Sequence, residues 1–329
     1  MTITRLPVLV LNPYGRCNCR CAMCDIWRRT TDGRLEPEDL ASQLEFIDRL
    51  GVEWVVFSGG EALMHPRLWE LASMVRGRGI RTTLLSSGLL LHRFASRVVD
   101  QIDDVIVSLD GPPRVHDRIR GIEGAFHWLE VGRWTLDRLR PGFQIASRCT
   151  VQRLNYEHLC ETVETANTLE LHSISFLAAD LASEAFGRGE GRAGSPQNQL
   201  ALPDATSLAR LQKEIEALIA RGECCRFIRE SPEKLRAIAG QFAVQLGLAN
   251  PVAPQCNAPW NSAVIEATGE VRPCFFHRPI GNLNSGLPLD QILNGPEALA
   301  FRHSLNVSTN PVCRRCVCSL HWKEGQTAA

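Results

Sequence analysis

No run of apolar residues in this chain approaches the roughly 20 that a membrane-spanning helix needs. Net charge is also missing, because 36 basic side chains are cancelled by 36 acidic ones. The first absence is that of a water-soluble globular protein. The second leaves no bulk field to draw the chain to nucleic acid or anionic lipid. Internal repeats and strongly low-complexity tracts are absent too, and 329 residues accommodate one large α/β domain plus a small one, or two ordinary domains. No charged-then-apolar leader with a small-residue cleavage site precedes the first cysteines. The expected compartment is therefore the cytoplasm, where clustered thiols serve metals or catalysis more often than crosslinks.

Thiols are what the chain has in excess. There are thirteen, an odd number that fits poorly with a fully paired disulfide framework. Cys17, Cys19, Cys21 and Cys24 fall within eight positions near the start, and Cys256, Cys274, Cys313, Cys316 and Cys318 lie toward the end. Cys149, Cys160, Cys224 and Cys225 stand outside both groups and read as small buried hydrophobes or idle thiols.

Hydrophobic patterning places the first group on a fold. Six β-rich runs, 7–11, 53–58, 81–86, 104–109, 144–151 and 172–176, alternate with segments of helical period such as Leu40, Leu44, Ile47 and Leu50. That order predicts a parallel sheet, open or curled into a barrel, whose chemistry gathers in the loops leaving the carboxyl ends of the strands. The unusual residues fall there: the cysteines after strand one, Ser58-Gly59-Gly60-Glu61 after strand two, Ser86-Ser87-Gly88 after strand three and Ser108-Leu109-Asp110-Gly111 after strand four, with Arg148 within strand five. Residues 178–204 read as a long loop or lid. Two helices are expected next, one marked by Leu208, Leu211, Ile215 and Leu218, the other capped by Ser231-Pro232. Residues 250–254 read as a linker.

Cys17, Cys21 and Cys24 have the spacing Cys-x3-Cys-x2-Cys. Three thiolates can hold three irons of a [4Fe-4S] cubane and leave the fourth open; structural zinc, with Cys19 as a fourth ligand, is the alternative. The spacing, on the loop after the first strand of a βα array, resembles the radical S-adenosylmethionine (radical SAM) superfamily. That resemblance implies a partial (β/α)6 TIM-like barrel and reductive cleavage of S-adenosylmethionine (SAM) to a 5′-deoxyadenosyl radical that abstracts hydrogen from substrate. Cys17, Cys21 and Cys24 would carry the catalytic cluster. Gly59, Gly60 and Glu61 match the family's Gly-Gly-Glu motif, which receives the SAM ammonium. Ser86, Ser87, Ser108 and Asp110 match positions near the SAM ribose or methionine part, and Met23 stands where the family usually has an aromatic against the adenine. Arg148 would pair with the SAM carboxylate or make a salt bridge at the barrel mouth. Cys19 has no family role. His116-Asp117-Arg118-Ile119-Arg120-Gly121 is similar to a segment of many relatives, and either shapes the site's rim or stitches its own loop.

The later cysteines follow Cys-x12-Gly-x4-Cys, with Thr268-Gly269 as a hairpin turn between strand-like runs at 262–267 and 271–274. This part resembles the SPASM and Twitch extensions of the same family, which bind auxiliary iron-sulfur clusters. The count suits one auxiliary [4Fe-4S] cluster on Cys256, Cys274, Cys313 and Cys316, with Cys318, His277 or His321 as substitutes and structural zinc as the alternative. The expected divisions are a core barrel at 1–205, a helical connector at 206–250 and an auxiliary-cluster domain at 251–329. The resemblance implies a flavodoxin- or ferredoxin-type electron donor. Sixteen residues precede Cys17, too few for a fused peptide-recognition domain, so the expected substrate is a small-molecule biosynthetic intermediate; a ribosomal peptide brought by a separate recognition protein is the alternative. A non-catalytic iron-sulfur or zinc protein is the reading from another class.

Overall fold

Short runs of β-branched and apolar residues form the strands, because such side chains pack well on a pleated, half-buried surface. The computed structural model describes residues 1–29, 33–188, 200–318 and 320–322. Its first six strands are β1 (Val8–Leu11), β2 (Trp54–Phe57), β3 (Arg81–Ser86), β4 (Asp104–Ser108), β5 (Gln144–Val151) and β6 (Ser173–Ala178), all parallel to their neighbours. All six expected strands are present, with boundaries trimmed by at most one residue at an end or, for β6, extended to Ala178.

Helices cross between them: α1 (Pro37–Ala41) and α2 (Leu44–Arg49), α3 (Leu68–Arg76), α4 (Leu91–Gln101), α5 (Pro113–Arg120) and α6 (Ala125–Leu139), then α7 (Leu159–Thr168). Each buries one face, as α3 does through Leu68, Leu71, Ala72 and Val75. Burying each such Leu or Val contributes about 1.5–3 kcal/mol, so the helices hold the sheet's backbone rigid behind the loops at its carboxyl ends. The two later helices are α8 (Ala205–Ala220), capped by Asp204 on Ser207 N–H, and α9 (Pro232–Gln245), capped by Ser231 on Lys234 N–H. Of the expected lid, 189–199 lie outside the described residues; 178–188 continue directly from β6.

One connection has no local signal in the sequence. After α10 (Ala258–Asn261), strand β7 (Ser262–Ile265) pairs in parallel with β1, from Val8↔Ser262 to Leu11↔Ile265. The Thr268-Gly269 turn then returns β8 (Glu270–Arg272) antiparallel to β7, and β9 (Gly281–Asn282) follows. Among the described residues the sheet therefore has nine strands in the order β6-β5-β4-β3-β2-β1-β7-β8-β9. It is an α/β fold with a small C-terminal unit continuing the same sheet. At the β6 edge, Ile174 N–H donates to Phe227 O and Arg229 N–H to Ile174 O, which covers backbone groups that would otherwise template another chain. The last helices among the described residues are α11 (Leu289–Leu293), α12 (Pro296–Ser304) and α13 (Pro311–Arg314).

Candidate functional site

The cysteine loop begins where β1 ends and is tied to the strands on both sides. Asn12 N–H donates to Ile265 O of β7 at 2.8 Å, while Gly60 N–H and Glu61 N–H, beyond β2, donate to Tyr14 O (3.2 Å) and Arg16 O (2.9 Å). Gly60 cannot carry a side chain here, since a Cβ would lie 2.0 Å from Arg16 O. The Gly-Gly-Glu turn is thus a surface on which the cysteine loop lies backbone to backbone.

Cys17 and Cys24 are half-buried on this loop and Cys21 is buried. Cys19, for which sequence gave no role, is 1 % exposed, donates its N–H to Cys17 Sγ at 3.5 Å, and has its thiol in hydrogen-bonding reach of Cys17 and Cys21. Those two hydrogen bonds, then burial, raise its pKa and keep it a thiol. Cys21 is lowered to about 6, first by the hydrogen bond from Cys19 and further by the Arg120 cation, against burial. Burial pushes Cys24 up to about 12.

Glu61 is wholly buried, with its carboxylate surrounded by donors. Ser86 Oγ lies 3.1 Å from both oxygens, Ser87 donates its N–H at 2.8 Å and its hydroxyl at 2.6 Å to Oε2, and Leu63 N–H donates at 3.3 Å to Oε1. Burial still raises its pKa over these opposing bonds. Ser87 Oγ is also 3.3 Å from Asn18 Oδ1, which joins the group to the cysteine loop.

Met23 lies on the same loop, next to Cys24. Its carbonyl accepts from Arg188 Nη2 at 2.7 Å, and its sulfur faces Gln152 Nε2 at 3.7 Å. Ser108 and Arg148 are register partners on β4 and β5, Arg148 is partnered in turn by Ser175 on β6, and Arg148 Nε donates to Ser175 Oγ at 3.3 Å. Glu230 and Cys318 feel the Arg148 charge. Asp110, wholly buried like Glu61, differs from it in being ion-paired: it faces Arg120 and accepts Thr150 N–H at 2.9 Å.

The later thiols converge as well. Cys256, Cys274, Cys313 and Cys316 line one cavity together with Phe276 and His277. His277 Nε2 is 3.4 Å from Cys313 Sγ, and burial lowers its pKa, which favours the neutral imidazole. Burial raises Cys274 to about 12 and Cys313 to about 11, so binding metal there releases protons. Cys318 and His321 are exposed, and Cys316 Sγ donates to Cys318 O at 2.8 Å. Among the described residues no three His, Cys, Asp or Glu side chains are gathered tightly enough for a single metal ion.

Phe186 stands between the two groups, which sequence reasoning missed. Its carbonyl accepts Asp25 N–H at 2.9 Å and lies 3.7 Å from Cys24 Sγ, while its ring meets Phe276 edge-on at 6.1 Å. It holds φ at 60°, a left-handed conformation that costs a non-glycine residue roughly 1–2 kcal/mol.

Residues 11–166 match the Radical SAM superfamily, and residues 256–317 match SPASM, an iron-sulfur cluster-binding domain. The chain therefore carries a radical SAM domain followed by a SPASM domain. It is 29% identical to Fe-coproporphyrin III synthase of Methanosarcina barkeri (strain Fusaro / DSM 804), over 45% of this chain and 38% of that protein. It is 24% identical to PqqA peptide cyclase of Rhodopseudomonas palustris (strain ATCC BAA-98 / CGA009), over 87% of this chain and 71% of that one. The chain matches less than half the length of the first several curated relatives. Streptococcus suis SuiB bound to precursor peptide SuiA shares the fold, with a TM-score of 0.68, 15% identity and coverage of 96% of this chain and 72% of SuiB.

Radical SAM and SPASM domains together imply SAM and [4Fe-4S] clusters, including an auxiliary one. The residues present fit these groups. Three thiols stand on one loop, one of them already favouring the thiolate, and four more line the second cavity. Gln152 Oε1, wholly buried beside Met23, has no hydrogen-bond partner among the described residues and remains available to a bound donor.

Proposed function

We propose that this radical SAM enzyme cleaves SAM reductively at Cys17, Cys21 and Cys24 and abstracts hydrogen from a small-molecule biosynthetic intermediate. The observation that carries the reading is the Cys-x3-Cys-x2-Cys loop lying on the Gly59-Gly60-Glu61 turn, with Glu61 N–H bonded to Arg16 O. When bound, the cluster and SAM supply hydrogen-atom abstraction by a 5′-deoxyadenosyl radical.

In this reading Cys17, Cys21 and Cys24 hold three irons, and Gly59, Gly60, Glu61, Ser86 and Ser108 face SAM. Glu61 offers a carboxylate to the ammonium, oriented in advance by Ser86 and Ser87. Arg148 offers its cation to a carboxylate at the barrel mouth. Met23 covers the adenine with a polarizable sulfur, and Gln152 fixes that side chain. Asp110 acts only indirectly, through the arginine it holds. Cys256, Cys274, Cys313 and Cys316 hold the auxiliary cluster, and a flavodoxin- or ferredoxin-type protein supplies electrons. The divisions at 1–205, 206–250 and 251–329 follow the same reading.

A peptide substrate is the second reading, favoured by the PqqA peptide cyclase match across 87% of this chain. The test is 5′-deoxyadenosine formation by anaerobically reconstituted protein, together with iron counts. Two cubanes give about eight irons per chain, falling to about four when Cys17, Cys21 and Cys24 are all replaced by Ala, with SAM cleavage abolished. Cleavage at the wild-type rate in that variant would refute the assignment, and tight zinc binding without cleavage would favour a non-catalytic metalloprotein.

A further inference from the structure

The C-terminal end of α5 lies against the cysteine loop. Arg20 N–H donates to Arg120 O and Ala22 N–H to Ile119 O, both at 2.9 Å, so the two segments meet through backbone on either side of Cys21. Gly121 makes the approach possible: its φ is +65°, and a Cβ there would lie 2.6 Å from Arg20 O. The residues on either side of Cys21 in the chain are therefore fixed by main-chain bonds.

Into this junction comes one guanidinium. Arg120 is 8 % exposed, places Nη1 3.5 Å from Cys21 Sγ, and ion-pairs through Nη2 with Asp110. Asp110 is held in turn by Thr150 N–H on Oδ1, by Asn155 Nδ2 on its carbonyl at 2.9 Å, and by donation of its own N–H to His116 Nδ1 at 3.2 Å. A buried ion pair is poor value as a stabiliser, because the desolvation of both charges offsets their attraction. This pair does something a pair of apolar side chains cannot: it aims a fixed cation at the sulfur of one cysteine in the first group.

We propose that Arg120 is a positioning residue for the first cluster, which directs a fixed positive charge and hydrogen bond at Cys21 Sγ and so raises the cluster's reduction potential, with Asp110 as its anchor. The proposal rests on the reading that Cys17, Cys21 and Cys24 carry that cluster. A hydrogen bond and a positive charge at a ligand sulfur stabilise the added electron, and burial leaves that effect poorly screened. Arginine suits the place because its planar fork reaches a thiolate and a carboxylate at once, whereas lysine is a single flexible point charge. The charges around it are unequal in reach: Asp110 neutralises the far side of the guanidinium, and Nη1 remains toward sulfur.

The test is a dithionite titration under electron paramagnetic resonance on anaerobically reconstituted full-length protein, following the cubane signal that the Cys17, Cys21 and Cys24 triple-Ala variant lacks. Removing Arg120 alone would strand a buried carboxylate, so the chief variant is the double D110N/R120M, with R120K as a second that keeps charge. The double variant should bind iron as wild type does, yet be reduced at least tenfold less favourably, which is about 59 mV lower for one electron. R120K should fall between the two. Equal midpoint potentials in wild type and either variant, at equal iron, would overturn the proposal. Absence from wild type of any cubane that the triple-Ala variant loses would instead bring down the cluster reading itself, and this inference with it.

Discussion

Gly60→Ala tests whether the Gly-Gly-Glu turn supports the cysteine loop. The new methyl would lie 2.0 Å from Arg16 O, and carbon contacts under 3.0 Å are not sustained, so turn and loop must part by at least 1 Å. The methyl is fixed by its own backbone and every atom it meets is backbone too, which leaves no side chain to swing aside. Parting stretches Glu61 N–H to Arg16 O, now 2.9 Å, and Gly60 N–H to Tyr14 O, now 3.2 Å, beyond hydrogen-bonding range. Each buried bond left unmade costs about 1–3 kcal/mol, so the pair costs about 4 kcal/mol. That is a large fraction of the roughly 5–15 kcal/mol by which domains are stable, yet it leaves the sheet folded. Equilibrium urea unfolding of the variant should show the loss, and iron per chain should fall at the first centre alone. Gly240→Ala in α9 is the matched control: no atom lies within 4 Å of its Cβ position, and helix propensity should make it about 0.5–1 kcal/mol more stable. A Gly60→Ala protein within about 0.5 kcal/mol of wild type, with full iron, would refute the reasoning.

Ser87→Ala removes the 2.6 Å hydroxyl bond to Glu61 and should cost about 1.5–3 kcal/mol at neutral pH, the range for bonds to charged groups. Burial already raises the Glu61 pKa, and losing this bond raises it further, so the extra cost is absent below the unfolded value of about 4.3 and grows as pH rises through the folded value. Urea unfolding from pH 4 to pH 8 should therefore show a widening gap from wild type, and a constant gap would contradict the account. Replacing Cys256 and Cys274 by Ala should reduce iron while the first cluster still forms; loss of zinc at constant iron would make the second cavity a zinc site.

The strands and their parallel sense were legible because β-rich runs alternate with helices of clear period, α8 was legible from its apolar period and α9 from its Ser231-Pro232 cap. The thiol groups were legible from spacing alone. The β1 to β7 ladder was not, since a four-residue run such as Ser262–Ile265 is buried on both faces and carries no alternation to name its neighbour. Nor was the environment of Asp110. Position at a strand end does not say whether a carboxylate faces the open mouth or a buried arginine, and Arg120, in a segment dense with charge, looks like any solvated side chain until α5 folds under Cys21. Phe186 was hidden for a similar reason: its part is played by a carbonyl group and a ring edge, neither of which a residue's identity announces.

The unforeseen ladder is also what relates the two groups of thiols. β1 bonds to β2 on one side and to β7 on the other, so the cysteine loop, the Gly-Gly-Glu turn and the hairpin lying between Cys256 and Cys274 are all anchored on one strand. Asn12, just beyond β1, strengthens this by donating its N–H to Ile265 O and its side-chain amide to Glu266 Oε2 at 3.1 Å. The spatial relation of the centres is therefore set by backbone hydrogen bonds and by the Phe186 to Phe276 contact, not by the length of the 250–254 segment, where Val252 is 79 % exposed. A linker that only returns the chain to the sheet needs no particular composition. A ladder that sets the distance between two groups of thiols needs its four pairs in register, because a slip of one residue would turn every side chain of β7 to the opposite face and carry the second cavity with it.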